Sequence, residues 1–242
     1  MNNYDIFAQF YDLIMGDRVK DSTLIEELMR QYNLSTNTIL ELGCGTGTFL
    51  KYFLDHGYLV AGIDLSEKML DIARTKLPNT ELLRQDMRSF LLPNKYDSIL
   101  CLFDSINHLL NYPDWESVFS RAKSHLNNNG LFIFDINTRK KLETLAQSDP
   151  IINDYNNGTK MIIKISLREN EIYDWNVRII EKINGEEKNN VENIQERSFP
   201  IIRIQNSLRK IFNEVYILDR NKNIGSEDSG RVYFVCKNTN ID

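Results

Sequence analysis

The stretch Thr38-Ile39-Leu40-Glu41-Leu42-Gly43-Cys44-Gly45-Thr46-Gly47 decides the fold. A short apolar run ends in an acidic residue, turns through alternating glycines and enters Thr48-Phe49-Leu50-Lys51-Tyr52-Phe53-Leu54, which has helical spacing. Such a strand, turn and helix lets backbone approach a ligand where a Cβ would collide, and so predicts a nucleotide-type cofactor loop. The spacing narrows the cofactor. A dinucleotide fingerprint carries its third glycine three positions after the second, opposite a pyrophosphate at a helix N-terminus. Here that place is held by Thr48 or Leu50.

Outward from the loop, Leu59-Val60-Ala61-Gly62-Ile63 is a compact apolar run ending in Asp64. Asp64 follows the first glycine by about the twenty residues expected of a ribose-binding carboxylate in a βαβ unit, and a carboxylate accepts from both ribose hydroxyls. Ser66 is placed to cap a helix through Met69, Leu70, Ile72, Ala73 and Leu77. Glu81-Leu82-Leu83-Arg84 then reads as a short strand leading to Gln85-Asp86-Met87.

The form Glu-x-Gly-x-Gly-x-Gly, the later acidic position and the Asp86-Met87 segment, in this order, resemble the class I S-adenosylmethionine-dependent methyltransferases over roughly residues 36 to 140. The resemblance implies a Rossmann-like, doubly wound α/β fold: a seven-stranded, mostly parallel sheet with an antiparallel last strand. It implies S-adenosyl-L-methionine as cofactor, bound by Glu41, Gly43, Cys44, Gly45, Gly47 and Asp64. Asp86 accepts from the adenine amine in that reading, and Leu65 and Met87 flank the ring. The run Tyr96 to Cys101, continuing to Phe103-Asp104-Ser105-Ile106-Asn107-His108, reads as a fourth strand opening into a polar loop. Ligands of open α/β sheets bind at that carboxyl edge, so Cys101, Phe103 and Asp104 are expected to face the sulfonium and the acceptor. Leu131 to Thr138 reads as the fifth strand, ending in polar residues at the same edge.

Residues 1–35 read as a helical cap of two helices. Its Phe7-Ala8-Gln9-Phe10-Tyr11-Asp12 resembles an N-terminal segment of small-molecule members of the family, with Tyr11 as a candidate active-site hydroxyl and Tyr4, Phe7 and Phe10 as a packing stripe. The core is expected over 36–145 and 200–242. Between them, 146–199 reads as a small antiparallel β lid, with runs Lys160 to Leu167, Ile172 to Lys182 and Val191 to Phe199 and an Asn184-Gly185 turn. A connection of this length suits an acceptor lid or a subunit contact, and Tyr173, Trp175 and Arg178 are candidate pocket residues. Pro200 fits the first position of a following helix.

Methyl transfer from a sulfonium asks for an aligned nucleophile and a dry site, with a general base only for a hydroxyl or protonated amine. His108 is the candidate base by position, against a packing or capping role. Asp104, Asn107 and Arg231 are candidates to orient the acceptor. The formal net charge of -5 argues against an electrostatic nucleic-acid binder. The three cysteines lack metal-ligand spacing, so no metal and reduced thiols are expected. There is no apolar run of membrane-spanning length and no signal-peptide pattern. The chain therefore reads as a cytoplasmic methyltransferase, monomer or homodimer, acting on a nitrogen or oxygen of a small molecule. The alternatives are an NAD-dependent oxidoreductase and a non-catalytic S-adenosylmethionine-binding regulatory protein.

Overall fold

The computed structural model describes every residue except 1–3, 5, 34, 157, 184–185 and 240–242, and the side chain of residue 183. The Asn184-Gly185 turn lies outside the described residues. Two sheets organise the molecule. The larger is built from β1 (Thr38–Leu42), β2 (Leu59–Asp64), β3 (Glu81–Arg84), β4 (Tyr96–Cys101) and β5 (Leu126–Asn137). The smaller holds β6 (Ile151–Asp154), β7 (Lys160–Leu167), β8 (Ile172–Ile183) and β9 (Glu186–Arg197), and the chain then returns to the large sheet as β10 (Glu214–Leu218) and β11 (Arg231–Lys237). The large sheet runs in the order β10-β11-β5-β4-β1-β2-β3. β11 is antiparallel to both β5 and β10, and the other pairings are parallel. This is the expected seven-stranded sheet with its antiparallel last strand.

Among the described residues seven α-helices flank the sheets: α1 (Ala8–Met15), α2 (Val19–Tyr32), α3 (Thr48–Asp55), α4 (Glu67–Lys76), α5 (Tyr112–Ser124), α6 (Arg139–Gln147) and α7 (Ile201–Leu208). Alternation along β5 shows why a sheet buried on both faces needs helices on both sides. Phe132, Phe134 and Ile136 pack with Trp115, Val118 and Phe119 of α5 and Ile204 and Leu208 of α7. Leu131 and Ile133, pointing the other way, pack with Ile25, Leu28 and Met29 of α2 and Phe49 and Phe53 of α3. Local signals start the helices: Ser66 Oγ accepts the Met69 N–H at 3.3 Å, and Thr138 Oγ1 accepts the Lys141 N–H at 3.2 Å. Pro200 sits one position earlier than expected, with extended ψ of 131° as the cap residue before Ile201.

The small sheet is antiparallel throughout, in the order β6-β7-β8-β9. β6 was not foreseen: its four residues are all exposed and show no buried face to read. One face of β7 to β9 is apolar, with Met161, Ile163 and Ile165 opposite Ile179, Val177 and Trp175. That face packs against Phe7 and Phe10 of the N-terminal segment and Leu142 of α6. Arg178 points the other way, exposed, donating from Nε to Asn189 Oδ1 at 3.0 Å.

Candidate active site

The carboxyl edge of the large sheet opens into a cavity of about 700 Å³. Its floor is the glycine loop. Gly43 and Gly45 have φ of +69° and +53°, a left-handed backbone that only glycine adopts without strain. A Cβ on Gly45 would meet no protein atom within 4 Å, so the space above it is open. Gly47 stands apart from the cavity: a Cβ there would strike Leu77 and Ala73 of α4 at 2.8 and 3.2 Å, so this glycine serves helix packing.

Asp64 ties the loop to β2. Its Oδ2 accepts the Gly45 N–H and its Oδ1 the Ser66 N–H, each at 2.8 Å. Burial pushes its carboxyl up, against these hydrogen bonds. Leu65, Asp86 and Met87 line the same cavity. Both Asp86 oxygens are already engaged by Arg88, with Nη2 to Oδ2 at 2.5 Å, and this holds the carboxyl below its ordinary value. Glu41 lies just behind the loop, 2 % exposed, and its Oε2 has no hydrogen-bond partner among the described residues. Burial, and then Asp64, push its carboxyl well above the ordinary value.

At the far end, Phe103 and Asp104 take consecutive left-handed conformations, φ of 58° and 54°. Residues without glycine's freedom hold such angles at about 1–3 kcal/mol each, and only when surroundings over-determine them. Asp135, at the edge end of β5, supplies the restraint: Oδ1 accepts the Phe103 N–H at 2.6 Å and Oδ2 the Asp104 N–H at 3.1 Å. Arg231 of β11 bridges Asp135 and Asp104. Its guanidinium and that of Arg18 also lie over the Phe103 ring, 4.9 and 4.0 Å from the centroid.

His108 is held at both ring nitrogens. Nδ1 is 3.0 Å from the Gln195 carbonyl, which only accepts, so the proton is assigned to Nδ1; Nε2 then accepts from Tyr4 Oη at 2.9 Å. Tyr11 lines the cavity beside them, its phenol pushed far up by burial and so kept neutral. Glu196 of β9 is 3 % exposed and accepts from Asn137 Nδ2 at 3.0 Å. The roof comes from α1 and the small sheet. Asp12 pins α1 to the cofactor loop by Thr46 Oγ1 at 2.6 Å and to α4 by Lys76 Nζ at 2.5 Å. From the sheet, Met161, Ile163, Trp175, Val177 and Ile194 face the cavity, and the Trp175 indole N–H is buried without a partner among the described residues.

Of the residues singled out in the sequence, Tyr11, Gly43, Gly45, Asp64, Leu65, Asp86, Met87, Phe103, Asp104, His108, Trp175 and Arg231 gather around this one cavity. Six besides Gly47 do not, Arg178 on the outer face of the small sheet among them. Glu41 stands behind the loop, and Cys44 packs with Leu50 and Leu70. Cys101 is fully buried in the core. The Asn107 amide is spent as a brace, donating to Asn137 and Arg197 carbonyls at 3.2 and 3.0 Å and accepting the Asn137 N–H. Tyr173 fills the apolar layer under the small sheet. Sequence reading missed Asp135, Lys141 and Glu196. Each had one available signal: Asp135 interrupts an apolar strand, Lys141 sits one turn past Asn137, and Glu196 shares a strand face with Ile194.

Residues 39–130 match the family model described as a methyltransferase domain. A protein of Geobacillus sp. (strain WCH70) named as a methyltransferase is 32% identical over 60% of this chain and 61% of its own length. The dTDP-3-amino-3,6-dideoxy-alpha-D-glucopyranose N,N-dimethyltransferase of Streptomyces fradiae is 30% identical over 53% of this chain and 52% of its own. The aligned region thus spans about half to three fifths of these curated relatives. In fold, a crystal structure of an S-adenosylmethionine-dependent methyltransferase from Clostridium acetobutylicum superposes with a TM-score of 0.84 at 24% identity, covering 99% of this chain and all of that one. Among the described residues no helix is long and apolar enough to cross a membrane. With its glycine loop and seven-stranded sheet, the chain has the fold of S-adenosylmethionine-dependent methyltransferases of known structure, and its residues 39–130 are similar to a methyltransferase domain.

Proposed function

We propose that the protein transfers the methyl group of S-adenosylmethionine to a nitrogen of a small-molecule acceptor. The observation that carries this reading is the single cavity in which an open-floored glycine loop with its Asp64 faces Asp104, His108 and Tyr11. The residues fit the cofactor. The open space over Gly45 takes a nucleoside, and Asp64 retains lone pairs for ribose hydroxyls. Leu65 and Met87 supply apolar walls for the base. That curated relatives act on amino sugars supports nitrogen as the acceptor atom and a sugar as its carrier.

When bound, S-adenosylmethionine supplies a methyl carbon on a sulfonium, a group with an excellent leaving partner. The chain's own task is alignment and exclusion of water. The roof of α1 and the small sheet closes the cavity with Phe7, Met161, Ile163 and Val177. Asp104, fixed by Arg231 and by the strained turn, offers an acceptor for N–H or O–H groups of the substrate. An attacking nitrogen must present its lone pair, so a protonated amine has first to lose its proton. His108 Nε2, the unprotonated nitrogen of the assigned tautomer, is the cavity's neutral base, and Tyr4 Oη shares it. The buried Cys44 and Cys101 thiols are pushed well up and contribute no thiolate. In this reading the small sheet is an acceptor lid, and 146–199 is the segment that chooses the substrate.

Calorimetry with S-adenosylmethionine, S-adenosylhomocysteine and NAD tests the proposal, with Asp64→Ala as control. Micromolar binding of the first two, weakened in the variant, followed by methylation of an amino-sugar nucleotide, is the expected result. Preference for NAD refutes the cofactor. Tight binding without turnover across amine and hydroxyl acceptors favours a regulatory protein instead.

A further inference from the structure

The acceptor end of the cavity holds a charge imbalance. Asp104, Asp135 and Glu196 are each at least nine-tenths buried, and the cations beside them are Arg231 and Lys141. Arg231 is committed to Asp104 and Asp135. Lys141 donates from Nζ to Asn137 Oδ1 at 2.8 Å, an amide and not a carboxylate. His108 meets the Gln195 carbonyl and Tyr4 Oη through its two ring nitrogens. Glu196 is thus the carboxylate whose hydrogen-bond donor is a neutral amide, Asn137 Nδ2, and it lines the cavity. Its place is not an accident of solvation. On β9 it shares the inward face with Ile194, in register with Tyr173 of β8, where the fold otherwise presents apolar groups. Leaving such a buried carboxyl charged without a matching cation costs several kcal/mol, so the group holds its proton until an arriving cation takes that proton's place.

From this we infer that Glu196 is a positioning residue for the acceptor: its carboxylate, with Asp104 and His108, binds the acceptor nitrogen as an ammonium. One ligand atom of each of these three residues lies within 4.8 Å of the others, a spacing that one small cationic group can bridge. The inference deepens the methyl-transfer reading above and rests on it. It adds that the acceptor enters charged, and that the inserted sheet selects amines over hydroxyls through one glutamate. A hydroxyl brings no charge to balance Glu196. Proton balance then follows simply: the bound ammonium gives one proton to His108 Nε2, displacing the Tyr4 hydrogen bond, and the freed lone pair forms the new N–C bond as the S–C bond breaks. A divalent cation is the competing occupant of three such groups.

Sinefungin tests this without knowledge of the acceptor, because it carries an amine where the cofactor carries its reactive methyl and so projects an ammonium toward the acceptor. Calorimetry gives the ratio of sinefungin to S-adenosylhomocysteine affinity for the wild type, Glu196→Gln and Glu196→Asp. The expected result is a ratio lowered about tenfold or more in Glu196→Gln, the effect of losing one charge-assisted hydrogen bond, with S-adenosylhomocysteine affinity unchanged and the ratio largely restored in Glu196→Asp. A ratio equal in all three proteins overturns the role of Glu196. So does stoichiometric binding of Zn²⁺ or Mn²⁺ that Glu196→Gln abolishes, since the three groups would then hold a metal. Failure of the wild type to bind S-adenosylhomocysteine at all defeats the methyl-transfer reading, a separate outcome.

Discussion

Replacing Asp64 by asparagine is expected to damage the protein nearly as much as replacing it by alanine, although asparagine keeps the size and one oxygen. The reason is geometric. The Gly45 and Ser66 N–H groups reach different oxygens of the carboxylate, each at 2.8 Å. A carboxamide has a single accepting oxygen, so in Asp64→Asn one of these donors faces an NH₂ group. Alanine leaves both donors to whatever water can reach the half-buried site. A lost intramolecular hydrogen bond costs about 0.5–1.5 kcal/mol and an unsatisfied donor about 1–3 kcal/mol; both variants should therefore lose roughly 1–3 kcal/mol of stability. Cofactor affinity is expected to fall further, because in the proposed site the remaining lone pairs face the ribose. One charge-assisted hydrogen bond lost corresponds to about 1–3 kcal/mol, or roughly 5- to 150-fold in Kd. Urea denaturation without ligand and calorimetry with S-adenosylhomocysteine measure the two effects separately. Asp64→Asn binding within twofold of wild type, with unchanged stability, would refute the assignment of both the turn and the ribose site to this carboxylate.

Gly45→Val should abolish cofactor binding while costing the apo-protein only about 1–2 kcal/mol for a left-handed backbone, since no protein atom stands where the Cβ would go. Gly62→Ala makes the opposite pattern: its Cβ meets Leu50 Cδ1 at 2.7 Å and Cys44 Sγ at 2.8 Å, so stability drops by about 1–3 kcal/mol, and thermal melting against calorimetry separates the two. Asp135→Asn removes the charge that faces Arg231 and halves the acceptors for the Phe103 and Asp104 N–H groups. A loss of about 2–4 kcal/mol by urea denaturation is expected, and a wild-type midpoint would show that the strained turn holds itself. Glu196 carries a pH signature. Burial, then Asp104, raise its folded-state carboxyl well above the ordinary 4.5. The folded state therefore binds this proton more tightly than the unfolded one, and the stability it contributes is present in acid and lost as pH rises. Glu196→Gln should accordingly gain stability relative to wild type from pH 5 to pH 8, and a flat difference between those pH values would contradict the burial argument.

How far the sequence carried depended on the distance over which each residue acts. Asp64 and Ser66 were legible because strand end, turn and cap lie within a few residues, and Gly43 and Gly45 because their backbone angles admit little else. Gly47 was equally conspicuous, yet it turned out to serve the contact with Leu77 and Ala73, a distinction that only the packing of α4 reveals. Asn107 and Tyr173 lie within two residues of His108 and Trp175 but point into the fold, because a loop gives no periodicity and an antiparallel strand gives a face without saying what lies opposite. Glu196 and Asp135 were hidden for a related reason. Their partners are Asn137 and the Phe103 turn, 59 and 32 residues away in the chain.

Helix α1 has a consequence for access to the cavity. It is fastened to the cofactor floor by Asp12, through Thr46 and Lys76. Just before it, the Phe7 N–H donates to Glu192 of the small sheet at 2.7 Å, and Tyr4 reaches His108. One short helix thus spans both ends of the cavity. It is joined to α2 by a tight turn in which Gly16 and Arg18 have φ of +70° and 54° on either side of Asp17. Displacing α1 would break the Asp12 contacts to the loop together with the Phe7 and Tyr4 contacts to the small sheet and His108, so access to the two ends of the cavity is coupled through a single carboxylate.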